Sequence, residues 1–178
     1  MVEPNYIVKL CLLGEAAVGK TSLVYRFVQN SFRESYKSTL GVNLLKKDMI
    51  VDKYGGVSAQ IWDLGGQESF KSLRKLYLEG ANGALVIYDT TNAKSFKKLD
   101  EWVGSFKDTR GVKPLFLIGN KADLKEKMKV SEEEGRQYAE DNKMSFMVTS
   151  AKTGNNVEMA FKTLIESILD EISKDDLS

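Results

Sequence analysis

Ile7-Val8-Lys9-Leu10-Cys11-Leu12-Leu13 runs directly into Gly14-Glu15-Ala16-Ala17-Val18-Gly19-Lys20-Thr21, which runs into the amphipathic stretch Ser22-Leu23-Val24-Tyr25-Arg26-Phe27-Val28. An apolar run, a glycine-bracketed loop ending in Lys-Thr and a helical pattern read as strand, phosphate loop and helix. The spacing has a chemical cause. Gly14 and Gly19 allow a tight loop whose backbone N–H groups, from Glu15, Ala16, Ala17 and Val18 onward, turn inward. The unpaired amides and dipole of the following helix, which Ser22 continues, then seat anionic phosphates. Lys20 is placed to reach the β- and γ-phosphates, and Thr21 offers the hydroxyl that a Mg²⁺ ion takes from a protein when its remaining ligands are phosphate oxygens and water.

Outward from this loop, composition narrows the field. The chain has 178 residues, 42% of them hydrophobic and 29% charged, which suits one domain, residues 1–178, with a sizeable core. The 26 basic and 25 acidic residues leave a net charge of +1, so no electrostatic footprint for nucleic acid is present and none is expected as a partner. Histidine is absent, which excludes Ser-His hydrolysis and His-based zinc chemistry. Cys11, the single cysteine, lies in the first strand and reads as a buried reduced thiol, consistent with a cytoplasmic location. No apolar run reaches the length of a membrane span, so this chain is not expected to insert in a membrane. No cysteine follows Cys11 for prenylation and Val2 stands where myristoylation needs glycine, so membrane association would require a lipidated tail beyond the chain as written.

Strand-like segments recur at Ile7–Leu13, Val42–Val51, Val57–Trp62, Ala84–Asp89, Leu115–Gly119 and Ser145–Thr149. Helical patterns cover Lys20–Gln29, Ser95–Lys107, Ser131–Asn142 and Asn155–Ile172, with a weaker one at Ser69–Leu78. This alternation predicts an α/β fold with a mostly parallel six-stranded sheet covered on both faces by helices. Asp52-Lys53-Tyr54-Gly55-Gly56 is too short for a crossover helix, so the second and third strands should pair antiparallel. Ser131 with Glu134 three residues on reads as a capping box.

A phosphate loop alone does not choose a reaction; the base-reading element does. Asn120-Lys121-Ala122-Asp123 follows the fifth strand at its carboxyl end, where ligands of such sheets sit. A carboxylate at Asp123 accepts two hydrogen bonds from the guanine N1–H and exocyclic amine, whereas adenine presents a bare acceptor and no amine there. Leaving such a carboxylate unpaired allows rejection of the wrong base by roughly 10⁴ or more.

With these residues in hand the chain resembles the Ras-like small GTPases, most closely the Rab branch. Besides the P-loop and Asn-Lys-x-Asp, the resemblance rests on Ser38-Thr39-Leu40-Gly41-Val42, on Trp62-Asp63-Leu64-Gly65-Gly66-Gln67-Glu68 and on Thr149-Ser150-Ala151-Lys152, in order and at matching spacing. It implies a P-loop G domain that binds GTP or GDP with Mg²⁺ and hydrolyses GTP. By position, Thr39 resembles the switch I threonine that closes on Mg²⁺ and the γ-phosphate, and Gly66 the switch II glycine whose N–H meets that phosphate. Asp63 resembles the acidic residue that holds Mg²⁺, so the implied metal set is Thr21, Thr39 and Asp63. Phe32 matches the aromatic beside the guanine and Tyr36 the tyrosine over the phosphates, while Asn120, Lys121 and Asp123 with Ser150, Ala151 and Lys152 match the two guanine loops. Gln67 resembles the residue that orients the attacking water. With Lys20, Thr39 and Gly66 it makes up the implied catalytic set, acting mainly by orientation and charge neutralisation at about 10⁻⁴ s⁻¹ without an activating partner.

The resemblance further implies a monomeric switch in vesicle trafficking or related signalling, meeting an exchange factor, an activating protein and effectors through the two switches and a Leu44/Trp62/Tyr77 surface. Some positions depart from the pattern. Ala16 and Ala17 stand where Ras proteins have glycines, Leu64-Gly65 is similar to the Arf branch, Val148 replaces a frequent Glu, and Leu44 stands where Phe is usual. Two rival readings are a constitutive GTP-binding interaction module with negligible hydrolysis and a small-acceptor kinase. Asn-Lys-x-Asp and the dispersed arginines Arg26, Arg33, Arg74, Arg110 and Arg136 argue against the kinase.

Overall fold

Along the first strand, β1 (Tyr6–Leu13), alternate side chains feed two separate cores. Val8, Leu10 and Leu12 face one side and Cys11 and Leu13 the other, the two-residue period of a strand buried on both faces. The computed structural model describes residues 3–33, 39 and 41–177.

The six strands lie in the order β2 (Val42–Val51), β3 (Gly55–Leu64), β1, β4 (Gly83–Asp89), β5 (Leu115–Asn120), β6 (Ser145–Val148). All pairs are parallel except β2 with β3, which form the expected antiparallel hairpin, with Val51 opposite Gly55 at its turn and Leu44 opposite Trp62 near its open end. On one face, α1 (Lys20–Gln29) contributes Leu23, Val24 and Phe27, while α6 (Val157–Asp176) contributes Phe161, Leu164, Ile165 and Ile168. Phe27 and Phe161 stack at 4.2 Å between ring centroids, joining these two helices. On the other face, α4 (Leu99–Arg110) buries Leu99, Trp102, Val103 and Phe106, and α5 (Glu132–Asp141) buries Ala139.

Helix boundaries follow local chemistry. The Ser131–Glu134 capping box is formed in both directions, the Glu134 N–H donating to the Ser131 hydroxyl and the Ser131 N–H to the Glu134 carboxylate. The helix expected at Ser95–Lys107 is instead two, α3 (Ala93–Lys97) and α4, broken at Lys98. Ser95 is buried and its hydroxyl accepts from the Asp89 N–H, which ties α3 to the end of β4, whereas the buried side chains of α4 seat it in the core. The weak pattern near Ser69–Leu78 resolves into a 3₁₀ turn, Glu68–Leu73, followed by the short α2 (Arg74–Leu78). The last helix starts at Val157 because Asn156 before it is left-handed, at φ 61°, with its side-chain amide donating to the Val148 carbonyl.

Strand order reverses at β1, whose neighbours β3 and β4 are reached by connections running opposite ways. Such a reversal opens a crevice at the carboxyl ends of the strands, and the loop after β1 lies there.

Candidate functional site

A cleft of about 420 Å³ opens at this crevice. Its floor is the loop between β1 and α1, with Ala16, Ala17, Gly19, Lys20, Thr21 and Ser22 on its surface. Gly19 sits at φ 99°, and a Cβ there would collide with the side-chain amide of Asn120. Glycine is therefore required both for conformation and for the close approach of the base-reading loop. Ala17 holds φ 66° with a Cβ in place.

Lys20 is only 5% exposed, and its ammonium donates to the Gly14 carbonyl over 2.7 Å and the Glu15 carbonyl over 2.8 Å. Burial pulls its pKa down to about 8, opposed by the nearby carboxylates of Asp63 and Glu15 and reinforced by the charge of Arg74. A buried ammonium whose hydrogen bonds go to neutral carbonyls is poised for an anion. Val18 lies in the core beneath the loop, with its carbonyl turned to Asn120.

Thr21, Thr39 and Asp63 converge although they come from α1, the segment before β2 and the end of β3. The Thr21 hydroxyl donates to Asp63 Oδ2 over 2.5 Å, the Thr21 and Thr39 hydroxyls share a hydrogen bond of 2.8 Å, and Thr39 lies 3.4 Å from the same carboxylate oxygen. Asp63 is fully buried, and its Oδ1 has no hydrogen-bond partner. Burial raises its pKa, against the Thr21 hydrogen bond and the Lys20 charge. An orphaned carboxylate oxygen beside two hydroxyls fits a hard divalent cation that draws its other ligands from phosphate and water. Among the described residues no cluster of three acidic, cysteine or histidine side chains is placed to hold a metal ion.

The wall opposite the floor is the Asn120–Asp123 segment, expected from the sequence to read the base. Asn120 is buried; its amide donates to the Val18 carbonyl over 3.0 Å and its Oδ1 accepts from the Thr149 hydroxyl over 3.0 Å. Lys121, at φ 65°, stretches over the floor to the Ala17 carbonyl, 2.9 Å, and pairs with Asp89 at 2.8 Å. Asp123 faces the cleft, and the Ser150 hydroxyl donates to its Oδ1 over 2.8 Å. Ala151 and Lys152 close that end, and Phe32 lines the side. Gly66 and Gln67 line the cleft at the phosphate end, and Gly66 packs on the loop itself, so that a Cβ there would strike the backbone of Glu15 and Ala16. Tyr36, with Ser38 and Leu40, lies outside the described residues.

Sequence reading missed the supports. Asp89, which fixes Lys121, is signalled only by its position at the end of a strand facing the cleft. Arg26 holds the second guanine loop, donating to the Ala151 carbonyl over 2.8 Å and the Lys152 carbonyl over 2.6 Å, with no local signal at all. Leu124 also lines the cleft. The Leu44/Trp62/Tyr77 surface differs from a fully exposed patch. Leu44 is 57% exposed, but Trp62 and Tyr77 are half-buried, their rings 6.4 Å apart, and the Lys9 ammonium sits 3.6 Å from the Trp62 ring centroid.

Fold and cleft together define a P-loop nucleotide-binding domain of the α/β class. The Ras family model matches residues 9–170. The chain is 40% identical over 177 residues to "Ras-related protein Rab-1" of Theileria parva, covering 98% of this chain and 80% of that one. It is equally 40% identical over 177 residues to "Ras-related protein RABA5c" of Arabidopsis thaliana, covering 98% and 81%, and 40% over 168 residues to "Ras-related protein Rab-13" of Canis lupus familiaris, covering 93% and 81%. The chain belongs to the Ras family: it is a small GTPase of Rab-like sequence, an enzyme that hydrolyses GTP. Among the described residues no helix is long and apolar enough to cross a membrane.

Proposed function

We propose that this chain is a guanine-nucleotide switch of membrane trafficking, recruiting effector proteins in its GTP state and reset by slow hydrolysis. The observation that carries the reading is the seating of the Asn120–Asp123 element across the cleft from the P-loop, with Asn120 bonded to Val18 and the Asp123 carboxylate oriented by Ser150. In that pose Asp123 receives guanine N1–H and the exocyclic amine, and Phe32 and the stem of Lys121 flank the base. The P-loop amides and Lys20 hold the phosphates, the ammonium exchanging its carbonyl partners for β- and γ-oxygens.

Thr21 and Thr39, with Asp63 acting directly or through water, would hold Mg²⁺, which when bound neutralises charge on the phosphates. Gln67 orients the water for in-line attack on the γ-phosphorus; the bond to the β–γ bridging oxygen breaks, and GDP and phosphate leave. Positioning and electrostatics supply the catalysis, which suits a site with no strong base. Thr39 and Gly66 approach the γ-phosphate end of the cleft, so loss of that phosphate releases both segments together. Exchange factor, activating protein and effectors meet the chain at these segments and at the adjoining Leu44, Trp62 and Tyr77, and the chain acts as a monomer.

Single-turnover cleavage of GTP and, separately, of ATP by Mg²⁺-loaded protein tests the reading. Slow GTP cleavage lost in Gln67→Leu, with no ATP turnover, is the expected result. Tight GTP binding without cleavage in either protein would overturn it in favour of a static interaction module.

A further inference from the structure

Beneath the cleft, a row of side chains joins the P-loop to the segment after Gln67. Trp102 of α4 is fully buried, and its indole N–H donates to the Glu15 carboxylate over 3.0 Å. The guanidinium carbon of Arg74, the first residue of α2, lies 3.6 Å from the centroid of the same indole. Arg74 is only 6% exposed. It reaches Glu101 at 3.4 Å and the Ser105 hydroxyl at 3.2 Å, both on α4. Lys71, one turn earlier, pairs with the same Glu101 at 2.9 Å.

The Arg74 guanidinium is buried near the Lys20 ammonium, and its charge is met by the Glu101 carboxylate at 3.4 Å. At 3.6 Å from the ring centroid the guanidinium is within cation–π range of the indole, and its flat, weakly hydrated head suits such a buried contact better than an ammonium does. Trp102 touches both sides, with Arg74 against its ring and Glu15 at its N–H. The 3₁₀ turn that carries Lys71 begins directly after Gln67, and the Phe70 N–H bonds back to the Gln67 carbonyl over 3.1 Å. The backbone of Gln67 is therefore set by a turn fastened to α4, and α4 is fastened at Trp102 to the loop that receives the phosphates.

We propose that Arg74 is a positioning residue for hydrolysis, fixing Gln67 relative to the γ-phosphate through Trp102 and Glu15, so that P-loop occupancy and the placement of Gln67 are coupled. The proposal rests on the GTPase reading. Misplacing a reacting partner by about 1 Å costs up to roughly 10²-fold in rate, which sets the scale of the effect.

The test uses two readouts on the full chain: single-turnover GTP hydrolysis with GDP affinity, and indole emission in a Trp62→Phe background, where Trp102 is the sole tryptophan. Arg74→Ala should slow hydrolysis at least tenfold while GDP affinity stays within about threefold. The emission of Trp102 should differ between the GDP and non-hydrolysable GTP-analogue forms, and Arg74→Ala should abolish that difference. Trp102→Phe, which keeps a ring face but loses the N–H to Glu15, should slow hydrolysis by a smaller factor. Should Arg74→Ala not fold, Arg74→Lys keeps the charge and aliphatic stem without the plane and should show the same slowing. Hydrolysis within twofold of the parent, with only a lower melting temperature, overturns the proposal, as does a matching fall in GDP affinity. No GTP cleavage by the parent protein would sink the GTPase reading itself and is separately visible.

Discussion

The side-chain amide of Asn120 donates to the Val18 carbonyl over 3.0 Å, so the proposed base-reading loop and the proposed phosphate loop are one hydrogen-bonded unit, although 102 residues separate them in sequence. The same side chain accepts from the Thr149 hydroxyl and fastens the second guanine loop.

Asn120→Ala removes both bonds inside a buried site and strands the Val18 carbonyl and the Thr149 hydroxyl. Each loss costs about 1–3 kcal/mol. The nucleotide-free protein should melt lower, and a fluorescent GDP analogue should dissociate at least tenfold faster, as read by stopped-flow chase. An unchanged dissociation rate would separate the two loops functionally.

Ser150 and Asp123 make a graded pair. Asp123→Asn replaces an acceptor-only carboxylate by an amide that presents a donor to guanine, so guanine affinity should fall by about 10² or more. Ser150→Ala only frees the carboxylate to rotate, and a loss of about fivefold is expected, the scale of one neutral hydrogen bond. Titration calorimetry with GDP on both variants gives the order; equal losses would mean that orientation of Asp123 matters as much as its charge.

Gly66→Ala introduces a methyl group where the Glu15 and Ala16 backbone already stands. Backbone cannot give way as a side chain can, so the Gly66–Gln67 segment must move off the P-loop. Single-turnover hydrolysis should drop by about 10² or more, while GDP, which lacks the γ-phosphate, should bind within a few-fold of the parent. Hydrolysis at the parental rate would show that the packing seen here is not the reactive arrangement.

Cys11 is fully buried in β1, and desolvation pushes its thiol up to about 12 from an ordinary value near 9, against the lowering effect of the Lys9 charge. Because the native state favours the protonated thiol, this group's contribution to stability is fully present below about pH 9 and is lost as pH rises toward 12. At pH 8 the native thiolate fraction is about 10³ lower than in the unfolded chain, so alkylation by iodoacetamide should be negligible in native protein and rapid in denaturant. Rapid native labelling at pH 8 would show that β1 opens readily.

Much of this molecule was legible in one dimension. Each strand of the sheet, the hairpin of β2 with β3 and the Ser131 capping box follow from short-range patterns, because a buried strand, a five-residue glycine link and a cap are local in origin. The break at Lys98 was not legible. It arises where the bond of Ser95 to the end of β4 and the burial of the α4 side chains impose different seats on adjacent turns.

The site divides in the same way. The chain order of Gly14 to Thr21, of Asn120 to Asp123 and of Gly66-Gln67 was enough to propose the chemistry, since backbone amides on a tight loop and a carboxylate at a strand end are properties of those residues themselves, and residues of all three segments line one cleft. Tertiary structure alone decided that Asn120 braces Val18, that Asp89 and Arg26 hold Lys121 and the Ala151–Lys152 loop, and that Arg74 lies against Trp102 beneath the P-loop. These partners lie up to 126 residues apart and carry no shared periodicity or spacing, so only the packing of helices on the sheet brings them within hydrogen-bonding or stacking distance.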